Sequence, residues 1–235
     1  MTLSSTPGPA KNRRLLHRGN VRDTVLVLAL VSAAGFPLPF GNFWCAFGIL
    51  AAGSLLNFMT KGILIRNTVL CDRGVYRICR HPYYLSNFLI DLSFCLLSGN
   101  VYLILAYPFL FFWAYGPTFL IEETQLCEWY PDRYREYRRQ TPQVLPDPRS
   151  RICFREVFDE FSFRRITSTE LVRLTRFWAM AMILPLIHQG RAMGWAELRA
   201  NPGKQDVLGW VIPAGVLLLA GTVIQGVGFL WKRGS

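Results

Sequence analysis

The chain has 235 residues, 51% of them hydrophobic, with seven Trp and seventeen Phe, a balance too apolar for an ordinary soluble domain. A net charge of +11 raises the question of nucleic acid, but the Lys and Arg fall between apolar segments rather than along one soluble face, so topology and anionic lipid account for them better and no nucleic-acid partner is expected. The six cysteines, at 45, 71, 79, 95, 127 and 153, show no paired C-x-x-C spacing, which argues against a disulfide framework or a zinc site, and no metal is expected.

In chain order, residues 1–22 are a basic cytoplasmic tail without the apolar core and small-residue cleavage site of a removable signal peptide, so the first apolar segment serves as the targeting signal. That segment runs from about Asp23 to Phe36 and stops at the turn cluster Pro37-Leu-Pro-Phe-Gly41; the second runs from Phe43 to Ile65. Lys11, Arg13, Arg14, Arg18 and Arg22 before this hairpin, and Lys61, Arg66, Arg73, Arg77 and Arg80 after it, place both flanks in the cytoplasm. A third segment opens at His81-Pro82 and ends near Ser98-Gly99-Asn100, and a fourth from Val101 to Ile121 returns the chain to the cytoplasm.

From Glu122 to Arg176 the sequence is charged and aromatic, too polar to span and too amphipathic to be disordered. Within it, Phe154, Phe158, Phe161 and Phe163 interleave with charged residues in the pattern of an amphipathic helix lying on anionic headgroups. Two apolar stretches follow: a short one around Phe177 to Ile187, crowded at its end by Pro185, His188 and Arg191 and readable as re-entrant, and a longer one from Val207 to Leu230. The expected architecture is an all-α, polytopic membrane helical bundle of about six spans, with both termini cytoplasmic, a cofactor pocket on the cytoplasmic face and interfacial amphipathic helices. Its parts are the tail 1–22, a core 23–147, an interfacial segment 148–176 and additional membrane segments in 177–235.

Two stretches carry chemistry. In Asp72-Arg-Gly-Val-Tyr-Arg-Ile-Cys-Arg-His-Pro-Tyr-Tyr84, Gly74 allows a tight turn and Pro82 suits the first turn of a helix, which leaves His81 and neighbouring amides at a helix N-terminus where a polar ligand binds. The other stretch starts with Glu122-Glu123, carboxylates close to the hydrocarbon boundary and costly without a partner, and continues through Tyr130, Tyr134 and Tyr137 to Pro142-Gln-Val-Leu-Pro146. The bland alternatives are an ion pair of the carboxylates with Arg80 or Arg77 and an interfacial belt of tyrosines.

Together the two stretches resemble the isoprenylcysteine carboxyl methyltransferase family and its relatives, the membrane phospholipid and thiol methyltransferases, over roughly Lys61 to Asp147. The shared constellation is a Gly-x-Tyr turn (Gly74, Tyr76), Arg-His-Pro-x-Tyr opening a helix (Arg80 to Tyr84), a helix ending in paired Glu (Glu122, Glu123), Tyr-x-x-Tyr (Tyr134, Tyr137) and Pro-x-x-Leu-Pro (Pro142 to Pro146). The resemblance implies S-adenosylmethionine as methyl donor, held by Thr68, Val69, Leu70, Cys71, Tyr76, His81, Pro82, Tyr83, Tyr84 and Glu122, and a lipophilic or membrane-embedded acceptor arriving from the bilayer. Arg80, His81 and Glu123 are the expected reaction centre. A carboxylate acceptor wants a cation, for which Arg80 and Arg139 are candidates, whereas an amine, hydroxyl or thiol loses a proton to His81 or a glutamate.

Thr118 stands where the prenylcysteine enzymes place an Arg one helical turn before the paired Glu, and joins Asn87 and Asp91 as a candidate contact for the acceptor. For Asn87 and Asp91 the alternative is hydrogen bonding between helices. Membrane sterol reductases, which use NADPH, also resemble the chain around Arg-His-Pro-x-Tyr, but the paired Glu favours the methyltransferase; a non-catalytic membrane scaffold is the third reading. The expected partners are the lipid bilayer and the lipophilic acceptor, with self-association left open.

Overall fold

The computed structural model describes residues 18–38, 40–64, 70–147, 154–194 and 207–233, and the regular structure among them is helical. The elements are α1 (Arg18–Gly35), α2 (Phe40–Ile63), α3 (Pro82–Leu97), α4 (Val101–Trp129), α5 (Pro131–Gln140), α6 (Phe154–Val157), α7 (Ser168–Met193) and α8 (Val207–Arg233), with 3-10 turns at Gly74–Arg77 and Phe163–Arg165. Local chemistry sets the starts. Proline occupies the first turn of α3 and α5, where its missing N–H costs nothing. Asn100 caps α4 by accepting the N–H groups of Tyr102 and Leu103 at 3.0 and 3.3 Å, and Thr167 accepts the N–H of Glu170 at the start of α7.

Among the described residues, four helices rather than six are long and apolar enough to cross a bilayer, over Phe43–Ile63, Val101–Trp129, Ser168–Met193 and Gly209–Gly226. The third apolar segment becomes α3, which at 16 residues spans only about 24 Å against ~30 Å of hydrocarbon. The first becomes α1, whose opening turns carry Arg18, Arg22 and Asp23. The fourth does not stop at Ile121: α4 runs 29 residues to Trp129, because Glu and Gln propagate a helix as well as apolar residues do, and the paired carboxylates sit inside it.

The fifth apolar stretch, readable as a span or as re-entrant, is part of α7, a continuous 26-residue helix with Pro185 inside it. Its polar end is put to use against neighbouring helix termini. His188 Nε2–H donates to the Leu97 carbonyl at 2.8 Å and Arg191 Nη1 to the Gly35 carbonyl at 2.9 Å, so the last turns of α3 and α1 find donors for carbonyls that have none within their own helices.

The core lies where α3 is surrounded by α1, α2, α4 and α7, and is built from Leu50, Ile90, Phe94, Tyr107, Phe111 and Leu184. α2 lies close along α3 because Gly53 has no side chain: a Cβ there would come within 3.0 Å of Ile90. α1 is anchored to α3 by Arg22 Nε on Asp91 Oδ1 at 2.9 Å, and Tyr107 Oη of α4 donates to the other carboxylate oxygen at 3.2 Å. Phe109, Trp113 and Leu219 point outward and are exposed, which suits a surface facing lipid rather than water.

In the described part of 148–176 the expected single amphipathic helix is divided into α6, the 3-10 turn Phe163–Arg165 and the first turns of α7. Glu156 and Glu160 hold Arg77 and Arg73, which lie on and just before the turn Gly74–Arg77. That turn needs its glycine, since Gly74 has φ +59° and a Cβ would lie 2.5 Å from Ile63 Cδ1 and 2.9 Å from the Asp159 carbonyl oxygen. Gly74→Ala is expected to destabilise the protein by about 2 kcal/mol, measured as a lowered thermal midpoint in detergent.

Candidate functional site

Glu122 and Glu123 are neighbours on α4 and therefore point about 100° apart around the helix. Glu123 turns inward, with 7% of its side chain exposed, and Glu122 opens outward at 37%. Oε1 of Glu123 gathers four donors: Arg80 Nη2 at 2.9 Å and Nε at 3.1 Å, Gln143 Nε2 at 3.1 Å and His81 Nε2 at 3.3 Å. Oε1 of Glu122 accepts the Tyr84 hydroxyl at 2.5 Å, and its Oε2 lies 3.8 Å from His81 Nδ1. His81 thus bridges the two carboxylates, with its ring stacked on Phe119 at 5.1 Å between centroids.

The backbone around His81 is held by the Pro142–Pro146 loop. The N–H groups of Arg80 and His81 donate to the carbonyls of Pro142 and Gln143 at 2.8 and 3.0 Å, and Arg80 Nη1 donates to the carbonyls of Arg138 and Thr141. Every donor of that guanidinium described so far is therefore engaged by the loop, by the end of α5 or by Glu123, which fixes its orientation. α5 presents Tyr134 and Tyr137 inward one turn apart and keeps its charges outside. Tyr137 donates to the Tyr76 carbonyl at 2.6 Å, and burial pushes its phenol above the ordinary range so that it keeps that proton.

Cys79 lies inside the same junction, and burial pushes its thiol up to about 12. A maleimide is therefore expected to leave Cys79 unlabelled in the folded protein at neutral pH and to label it after denaturation, as peptide mass analysis would show.

The structure gathers Arg80, His81, Pro82, Tyr84, Glu122 and Glu123 at one place, and sets Leu70 against Tyr134 and Tyr137 and Cys71 beside Tyr76. Thr68 and Val69 lie outside the described residues. Tyr83 turns the other way, toward α2 and α7: Lys61 Nζ sits 4.3 Å from its ring centroid and Arg173 Nη1 donates to its hydroxyl at 3.1 Å. Asn87 accepts from Asn57, Asp91 holds Arg22, and Arg139 is exposed on α5. Thr118 is fully buried one turn before Glu122, and its hydroxyl has no hydrogen-bond partner among the described residues. Gln143 and Phe119 complete the centre without having been singled out in the sequence; the only signals were a place inside the Pro-x-x-Leu-Pro loop and a position one turn before Glu123.

Comparison with known proteins finds similarity over part of the chain. Residues 35–128 match the model of the isoprenylcysteine carboxyl methyltransferase (ICMT) family. A protein-S-isoprenylcysteine O-methyltransferase of Schizosaccharomyces pombe is 26% identical over 115 residues, which is 49% of this chain and 48% of that protein, so the chain spans about half the length of the curated relative it matches. No solved structure matches the chain. Residues 35–128, which hold Arg80 to Tyr84 and the carboxylate pair on α4, are thus similar to the ICMT family, in a chain whose described residues include four helices long and apolar enough to cross a membrane.

Proposed function

We propose that the protein transfers a methyl group from S-adenosylmethionine to a lipophilic acceptor at the cytoplasmic membrane interface. The observation that carries this reading is the gathering of Arg80, His81, Tyr84 and two adjacent carboxylates at one place, with Glu123 7% exposed and bound by Arg80, Gln143 and His81, and Glu122 oriented by Tyr84 and 37% exposed. The residues suit a cationic nucleoside donor. A carboxylate and the rings of Tyr84, Tyr115, Phe119 and His81, packed at centroid distances of 5.0 to 5.8 Å, favour a sulfonium over a neutral ligand. The donor, when bound, supplies an electrophilic methyl carbon; Glu122, Tyr76, Tyr84 and the Leu70–Cys71 stretch are the proposed contacts to it.

The chain's own part in the reaction is alignment and charge. The bonds from Arg80, Gln143 and His81 to Glu123 hold the junction of α3, α4 and the Pro142–Pro146 loop rigid, so that donor and acceptor meet in one orientation. His81, the group that touches both carboxylates, is placed to take a proton from a protonated acceptor. The name of the yeast relative supports a prenylated cysteine carboxylate as acceptor class, which needs no base but needs its charge accommodated, and the buried, unpartnered Thr118 hydroxyl beside Glu122 is the proposed polar contact for it. Asn87, Asp91 and Arg139 are engaged or exposed elsewhere and take no direct part in this proposal.

The test is direct. Purified protein should bind methyl-labelled S-adenosylmethionine and not NADPH, and should transfer label to a farnesylated cysteine with a free carboxylate. Label appearing only in products of a lipid extract would keep the methyltransferase and replace the acceptor; NADPH binding would favour the reductase; binding of neither would favour a scaffold.

A further inference from the structure

Beyond the stretch matched to the family, residues 156–165 grip both ends of the segment that carries Leu70 to Tyr76. We infer that this strap is a positioning element for the donor half of the site, with Arg165 as its clasp, an inference that rests on the donor-binding role proposed above. At one end α2 terminates at Ile63, leaving carbonyls with no partner in their own helix. Arg165 Nη1 reaches the carbonyls of Gly62 and Ile63 at 3.3 and 3.1 Å and that of Glu160 at 2.9 Å, while the Ser162 N–H donates to Gly62 at 3.0 Å. A guanidinium here also faces the negative end of the α2 dipole. Phe161 covers Gly62 so closely that a Cβ there would fall 2.2 Å from its ring.

At the other end, the strap carbonyls of Val157 and Asp159 press on Gly74, and Glu156 and Glu160 pair with Arg77 and Arg73 at 2.7 and 2.9 Å. Val157 and Phe161 close one apolar cluster with Met59, Ile63, Val75 and Tyr76. Tyr76 is thus clamped between the strap on one side and Tyr137 of α5 on the other. The two ion pairs have side chains 41–65% exposed and contribute little, so the grip depends on Arg165 and Phe161.

The experiment uses the whole chain in lipid nanodiscs, with labelled S-adenosylmethionine and a farnesylated cysteine as probes. Arg165→Ala should raise the donor Kd and donor KM about five- to tenfold while kcat and the acceptor KM stay within about twofold, because only the donor contacts shift. Arg165→Lys, which keeps one cationic donor at the α2 end, should recover part of the loss. Glu156→Gln and Glu160→Gln should stay within about twofold of wild type. Amide hydrogen exchange at residues 72–77 should quicken in Arg165→Ala and Phe161→Ala. Unchanged donor affinity together with unchanged exchange would overturn the inference, as would a parallel loss of donor and acceptor binding. A wild-type protein that binds no donor would defeat the methyl-transfer reading, while faster exchange at 72–77 in the variants would still support the strap's hold on the turn.

Discussion

Glu123→Ala is expected to lower stability by roughly 3–5 kcal/mol, because it removes the charge partner of a largely buried guanidinium. Arg80 has only 9% of its side chain exposed, and its Nε and Nη2 both depend on Glu123 Oε1; Gln143 and His81 lose an acceptor in the same step. The lost contacts join α3, α4 and the Pro142–Pro146 loop, so the loss falls on the assembly of the site rather than on one helix. Arg80→Ala should be nearly as damaging, since it leaves the Glu123 carboxylate with neutral or weakly basic partners. The double variant should be less destabilised than the sum of the two, as neither removal then strands a charge. Thermal unfolding in detergent decides the matter: single variants within about 1 kcal/mol of wild type would show that the cluster is hydrated and carries little energy.

Glu122→Gln should have the opposite signature, a loss of donor binding with little loss of stability. A hydrogen bond to a charged group is worth ~1.5–3 kcal/mol, so donor affinity should fall about ten- to hundredfold. The thermal midpoint should move less than in Glu123→Ala, because Glu122 is 37% exposed against 7% for Glu123. Tyr84→Phe should weaken the donor by less, since the phenol at 2.5 Å orients the carboxylate and does not replace it. Titration of labelled S-adenosylmethionine against the three proteins measures both effects; equal affinity in Glu122→Gln and wild type would remove the open carboxylate from the donor site.

The contrast between the two glutamates was invisible in the linear sequence, where they are one motif. Their proximity to Arg80 and His81 was foreseeable, because Pro82 sets the start of α3 and the acidic pair marks the same end of α4. Which of the two turns inward depends on the rotation of α4 about its own axis, and that is set by Tyr107, Phe111, Tyr115 and Phe119 packing toward the core. Tyr83 and Tyr84 repeat the lesson: adjacent in sequence and grouped together as donor contacts, they diverge because one helical step carries Tyr83 toward Lys61 and Arg173.

Span counting failed for an equally physical reason. Apolar runs are necessary for a spanning helix but not sufficient: α3 is apolar because most of it is buried among its neighbours and at 16 residues it is short for the bilayer, while the opening turns of α1 carry Arg18, Arg22 and Asp23. The polar residues that made the fifth apolar stretch look weak, His188 and Arg191, donate to carbonyls at the ends of α3 and α1.

The sequence by itself determined that the chain is helical, lives in a membrane and brings a basic, proline-started turn to an acidic helix foot, because hydropathy, punctuation by Pro and Gly, and motif order are local properties. Only the tertiary structure decided that Arg22 belongs to Asp91, Arg165 to the end of α2, and Glu123 rather than Glu122 to Arg80. Groups separated by 43 to 102 positions choose partners according to how helices rotate and dock, and that choice is made by the packing of the whole bundle.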